Sequence, residues 1–180
     1  PLKAPSRVRK NFPETLLWRP QVLTDEDGQA TVEIPLADSI TTWRLGIDAV
    51  SGQGSLGSKT LGLRVFQPFF IDVDLPLELT QNDEVQLRVA VYNYLEQSQT
   101  VRLDLSAGEW FDLRGSGSQT LRLEPREVTQ VSFPVVARRP GDHPITVRAF
   151  GSEMADAVER RVRVVPDGRP IVDTRNGQFD

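Results

Sequence analysis

A single histidine, His143, and the absence of any cysteine leave this chain little with which to make or break covalent bonds. A general base needs a partner within hydrogen-bond reach that tunes or orients it. His143 stands directly before Pro144 at the start of a strand-like run, with no such partner nearby in sequence. One imidazole cannot supply a histidine-based metal site, which takes several ligands at fixed spacing. Without cysteine there is no thiolate nucleophile, no disulfide and no zinc–thiolate cluster. No Gly-x-Ser-x-Gly elbow occurs either. No residue is therefore nominated as catalytic, metal-binding or cofactor-binding, and no small-molecule substrate is expected.

Two short patterns imitate binding sites. Gly52, Gly54 and Gly57 match the Gly-x-Gly-x-x-Gly dinucleotide pattern, which works only where a strand feeds a helix whose N-terminus meets the pyrophosphate. Strand-like sequence lies on both sides here, so the segment reads as a hairpin turn. Asp25 and Asp27 resemble the start of a calcium loop, but the later ligands and closing glutamate are missing. Asp25 to Gly28 reads instead as a turn in which Gly28 supplies positive φ. Acidic and basic residues are mixed, with a net charge of −4. That balance argues against a nucleic-acid partner. Arg7, Arg9 and Lys10 form the most basic stretch. They lie between prolines and outside any strand pattern, and are expected to be exposed and protease-sensitive.

The elements around these residues are β-strands. Val85, Leu87, Val89 and Val91 alternate with Gln86, Arg88 and Ala90, the period of a strand with one buried face. The same alternation runs through Phe69–Leu75, Val101–Leu105, Leu121–Leu123, Val131–Val135, Ile145–Ala149 and Val158–Val164. Seven strands separated by Gly-, Asn- and Pro-containing turns predict an all-β, immunoglobulin- or fibronectin-III-like antiparallel sandwich over residues 67–166. Only Ser152 to Val158 offers a single helical turn. Before Pro68, four further strands are expected at Leu16–Leu23, Ala30–Ile34, Trp43–Ala49 and Leu61–Val65. Four strands with one apolar face do not close a sandwich, so residues 1–66 are expected to be part of a domain. Trp18, Trp43 and Trp110 are expected in core or interdomain packing. Phe70 shares the polar strand face with Asp72 and Asp74, which suggests contact with a neighbouring domain.

Three segments in order carry a family resemblance. Asn11-Phe12-Pro13-Glu14-Thr15-Leu16-Leu17-Trp18 resembles the Phe-Pro-Glu-Thr/Ser-Trp-x-Trp stretch of alpha-2-macroglobulins and complement proteins, with Leu16 at the first Trp. Asp38-Ser39-Ile40-Thr41-Thr42-Trp43 resembles their Asp-Ser/Thr-Ile-Thr-x-Trp segment. Pro68-Phe69-Phe70, Leu75-Pro76 and Asn93-Tyr94 resemble the family's following motifs.

This resemblance implies that residues 1–66 are the later part of a macroglobulin-type domain interrupted by a bait region. It implies that 67–166 are a complete macroglobulin domain and that 167–180 begin a linker to a CUB-type domain. It further implies a non-enzymatic scaffold within a broad-spectrum endopeptidase inhibitor that traps its prey. The partners would be proteases, reached through the parent's bait, and neighbouring macroglobulin, CUB and thioester-type domains. The absence of cysteine and of Asn-x-Ser/Thr sequons favours a bacterial relative in the periplasm or cell envelope, with an extracellular setting as alternative. Some bacterial relatives are encoded beside a peptidoglycan synthase, which adds that enzyme as a partner. The open apolar face of 12–66 is expected to be covered either by a retained upstream fragment that completes the sandwich or by a second copy of the chain. The rival function is an adhesion or protein-binding sandwich module of the cell envelope.

Overall fold

Alternation becomes a sheet only where a neighbouring strand pairs with it, and this decides which segments are ordered as strands. The computed structural model describes residues 1–168, 171, 173, 174 and 177. Among them are β1 (Thr42–Val50), β2 (Leu56–Arg64), β3 (Phe69–Asp74), β4 (Glu78–Thr80), β5 (Glu84–Asn93) and β6 (Gln99–Leu105). There follow β7 (Phe111–Leu113), β8 (Ser118–Leu123), β9 (Val128–Ala137), β10 (Gly141–Gly151) and β11 (Asp156–Val165). No helix occurs among the described residues.

Strands β3 to β11 form two facing sheets, ordered β4-β11-β10-β6-β8 and β3-β5-β9-β7. Every pairing is antiparallel except β4 with β11, and the arrangement is the expected immunoglobulin-like sandwich. Its core is the inward register of the alternating strands. Phe69, Val89, Val91, Val101, Leu103, Leu123, Phe133, Val147 and Ala149 are wholly buried. Each large aliphatic or aromatic side chain so placed contributes about 1.5–3 kcal/mol. Trp110 closes one end, buried edge-on to Phe111 with its Nε1–H donating to Pro144 O at 2.9 Å.

Several expectations are corrected. Nine strands, not seven, lie between Pro68 and Pro166, because β4 and β7 are too short to show a period. The helical turn at Ser152–Val158 is absent; Asp156 already pairs with Ala149 at the start of β11. Before Pro68 only β1 and β2 form, paired from Thr42↔Arg64 to Val50↔Leu56. Leu16–Leu23 and Ala30–Ile34 find no ladder partner among the described residues and are not strands. Trp18 lies in that irregular stretch and is 80% exposed, so it is outside the core of this chain. Most of the expected onward linker at 167–180 falls outside the described residues.

Candidate functional site

The N-terminal segment is not a free tail. Strand β4 covers the edge of β11 only at Arg163–Val165, leaving the first half of β11 with open backbone groups. Residues 1–12 form a strap that fills this gap. Arg9 N–H donates to Ala157 O at 2.8 Å, and Glu159 N–H donates to Arg9 O at 2.9 Å. Further back, Lys3 N–H donates to Gly151 O at 2.8 Å, and Lys3 Nζ donates to Glu153 O at 2.6 Å.

The Arg9 side chain enters the seam between the two sheets. Its Nε and Nη2 meet Asp156 Oδ1 and Oδ2 at 3.0 and 2.7 Å, the two-pronged geometry in which a guanidinium holds a carboxylate best. Nη2 also donates to Ile71 O at 2.6 Å, and Nη1 donates to Asp38 O at 3.1 Å. Asp156 Oδ2 in turn accepts Ile71 N–H at 2.9 Å. Arg9 and Asp156 are each only 4% exposed. A buried pair gives little net stability, yet removing one partner strands a charge and costs about 3–5 kcal/mol. Four chain segments therefore converge on one ion pair: the strap, the Asp38 loop, β3 and β11. The expectation that Arg9 is exposed is corrected, because only burial lets its donors reach Asp156 and Ile71. Arg7 and Lys10 are exposed as expected.

The motif residues assemble around this latch. Phe12 packs against the core, with the Arg160 guanidinium 3.8 Å from its ring centre. Pro13 is half-buried beside it in sequence, and Glu14 points to solvent. Asp38 Oδ2 accepts the backbone N–H groups of Lys10 and Asn11, both at 3.0 Å, and Oδ1 pairs with Arg7 at 2.9 Å. Burial pushes the Asp38 carboxyl up. The Asn11 and Lys10 N–H groups and the charges of Arg7 and Arg9 outweigh that and hold it below the usual carboxylate range. Two motifs distant in sequence thus meet through one carboxylate.

The remaining motif residues mark the junction between the β1–β2 hairpin and the sandwich. Ser39 and Ile40 are half-buried, and exposed Thr41 accepts Val65 N–H at 2.8 Å. Trp43 is half-buried in the hairpin. Phe69 enters the core, while Phe70 stacks on Tyr92 with ring centres 4.4 Å apart. Phe66, Tyr92 and Tyr94 extend this aromatic group, with Arg64 over Phe66 at 4.6 Å. Pro68 O accepts Tyr94 N–H at 2.8 Å. Asn93, wholly buried, donates to Gln97 O and Glu124 O and ties two turns together.

Asp156 was not among the residues singled out from the sequence, although it carried a signal. It falls on the even-numbered register of Val158, Val162 and Val164, where an apolar residue is expected, a sign it shares with Arg160. Arg9 has no comparable local sign.

The apparent chemistry motifs are spent on structure. His143 stacks on Trp110 at 5.3 Å, and its Nε2 lies 2.8 Å from Arg139 O. Glu109 lines the same cleft, but its carboxylate is held by Arg139 at 2.8 Å. Asp25 Oδ1 accepts the N–H groups of Asp27 and Gln29, and Gly28 takes φ 76°. Gly52 and Gly54 turn the hairpin between β1 and β2.

Comparison with known proteins agrees with this architecture. The family model described as "Alpha-2-macroglobulin family" matches residues 15–105. Complement C3 of Eptatretus burgeri is 32% identical over 170 residues, covering 89% of this chain and 10% of that protein. The venom factor of Crotalus adamanteus is 31% identical over 172 residues, with the same coverage. The trypsin-activated alpha-2-macroglobulin of Escherichia coli superposes with a TM-score of 0.68 at 21% identity, over 81% of this chain and 10% of that one. A Salmonella alpha-2-macroglobulin reacted with methylamine gives 0.58 at 23% identity, over 79% and 10%. These two likenesses establish the fold. The chain spans about a tenth of the length of the curated relatives it matches.

Proposed function

The chain belongs to the alpha-2-macroglobulin family, and from that membership we propose that it is a scaffold segment of a broad-spectrum endopeptidase inhibitor. In this reading it performs no catalysis. It passes a conformational change, set off by cleavage of a bait elsewhere in the parent, to the domains that close on the protease. Neighbouring macroglobulin, CUB and thioester-type domains are its partners, and the parent works in a bacterial periplasm or cell envelope, near a peptidoglycan synthase.

The observation that supports this reading is the Arg9–Asp156 pair. A buried ion pair has two well-separated arrangements, held or released, because half-breaking it leaves charge in an apolar seam. An element of that kind can report displacement of the strap to the sandwich.

The test uses the parent protein and trypsin. After bait cleavage, trypsin should co-migrate with the parent, hydrolyse a small peptide substrate and fail on a large protein substrate. Trypsin that stays free with both activities intact would overturn the reading.

A further inference from the structure

Arg7, Arg9 and Lys10 offer three peptide bonds to proteases of basic primary specificity, yet the structure treats them unequally. A protease must draw several residues on each side of the scissile bond into an open, extended conformation, so burial and backbone pairing decide susceptibility. The Arg7 side chain is 69% exposed. Arg9 has its backbone N–H and C=O both paired with β11 and its side chain shut in the seam. The amides of Lys10 and Asn11 are held on Asp38.

We propose that the Arg9–Lys10 bond is a gated proteolytic site and that Asp156 is the positioning residue of the gate. While the strap is seated, proteases with basic primary specificity are kept from the Arg9–Lys10 bond, and from Arg7–Val8 as well, because Arg9 and Lys10 lie just beyond that bond. When the strap leaves the seam, hydrolysis of Arg9–Lys10 consumes one water and yields a carboxylate on Arg9 and an amine on Lys10.

The two cuts have different consequences. Cleavage after Arg7 leaves Arg9 covalently joined to the rest of the chain, so the latch can close again. Cleavage after Arg9 removes the tether that makes its pairing with Asp156 intramolecular, and the effective concentration that favoured reclosure is lost. The gate thus makes reclosure less favourable after the second cut than after the first. It rests on strap geometry alone, and stands whether or not the parent traps proteases.

Limited trypsin digestion of the full 180-residue chain, followed by intact mass and N-terminal sequencing, tests it. A free peptide of residues 1–12, which has no β11 to pair with, is the reference. In the wild-type chain the cut after Arg9 should be slower than in the peptide by at least about tenfold. Cleavage of a locally opened state follows the population of that state. Asp156→Asn keeps an acceptor for Ile71 N–H but loses the charge, and Arg9→Lys keeps a trypsin site but loses the two-pronged grip. Each should raise the rate of the cut after residue 9, relative to the matching free peptide, by about tenfold or more. Hydrogen exchange at Leu87 and Phe133, both deep in the sandwich, is read in the same samples and should stay slow. A wild-type cut after Arg9 as fast as in the free peptide would overturn the proposal. So would relative rates within about threefold of wild type in both variants. Loss of protection at Leu87 and Phe133 in step with the strap would also overturn it, making Asp156 a general stabiliser of the sandwich rather than a gate.

Discussion

Phe12 lies face-on beneath Arg160, whose guanidinium carbon is 3.8 Å from the ring centre, while Nη2 of the same group bonds Asp72 Oδ1 at 2.9 Å. Arg160 therefore links β11 to β3 across the seam and roofs the strap at once. A cation over an aromatic face contributes about 0.5–2 kcal/mol, depending on how far it is desolvated. Phe12→Ala should lower stability by about 1–2 kcal/mol, less than a fully buried phenylalanine would cost, because the ring is only half-buried. Phe12→Leu should recover the apolar part of that loss and not the cation–π part. Denaturant unfolding of the three proteins checks the order.

The Asp38 carboxyl titrates below its ordinary value in the folded chain. A depressed folded pKa gives stability that is fully present above the unfolded value, about 3.9, and lost as pH falls through the folded value. Attachment of residues 7–11 should thus be constant near neutrality and weaken below about pH 4. Amide exchange or NMR shifts at Lys10 and Asn11, which both donate to Asp38, should report the change. Asp38→Asn should remove that pH dependence and loosen both amides at neutral pH. Unchanged amides at pH 3 would contradict the role given to Asp38.

The sandwich was legible because burial on one face writes itself into the sequence with period two: Phe69, Ile71 and Val73, or Val101, Leu103 and Leu105. Three-residue strands such as Glu78–Thr80 carry no measurable period, so β4 and β7 could not be read. Leu16–Leu23 showed strand-like residues, but a strand exists by virtue of its partner, and none of the described residues pairs with it. The latch was the least legible feature. Arg9 and Asp156 lie 147 positions apart, and the charge of Asp156 on an inward register was a weak sign, shared with Arg160. Phe70, by contrast, was readable as an aromatic on a polar face, and it stacks on Tyr92 there.

Gly151 is required for space rather than for backbone freedom. A Cβ built there would lie 1.9 Å from Met154 O and 2.7 Å from Gln99 Oε1. The first neighbour is backbone and cannot swing aside. Gln99 is itself buried, and its Oε1 accepts the N–H groups of Glu153 and Met154, so the turn has no slack on that side either. Gly151→Ala should cost about 1–3 kcal/mol, the usual range for overpacking. It should also loosen Lys3, whose N–H bonds Gly151 O. Thermal unfolding measures the first effect and Lys3 amide exchange the second; a melt unchanged from wild type would refute the steric reading.

The β1–β2 hairpin presents the last prediction. Its register places Trp43 opposite Leu63 and Leu45 opposite Leu61, with Ile47 next along the same face. Ile47 is 46%, Leu61 44% and Leu63 37% exposed. Trp43 Nε1 is buried with no hydrogen-bond partner among the described residues. Covering each large apolar side chain would contribute about 1.5–3 kcal/mol, and both outer edges of a two-stranded sheet offer unpaired backbone groups to another chain. A contiguous apolar face of this kind marks an interaction surface or an aggregation hazard. The chain alone is therefore expected to self-associate as concentration rises, through the hairpin rather than the sandwich. Paired charges at Ile47→Glu and Leu61→Glu should restore a monomer without shifting the sandwich melt, because neither residue belongs to its core. Light scattering over about a hundredfold range of concentration decides the matter. A uniform 20.1 kDa species at the highest concentration, with β1 and β2 amides protected from exchange, would show that two strands hold without a cover.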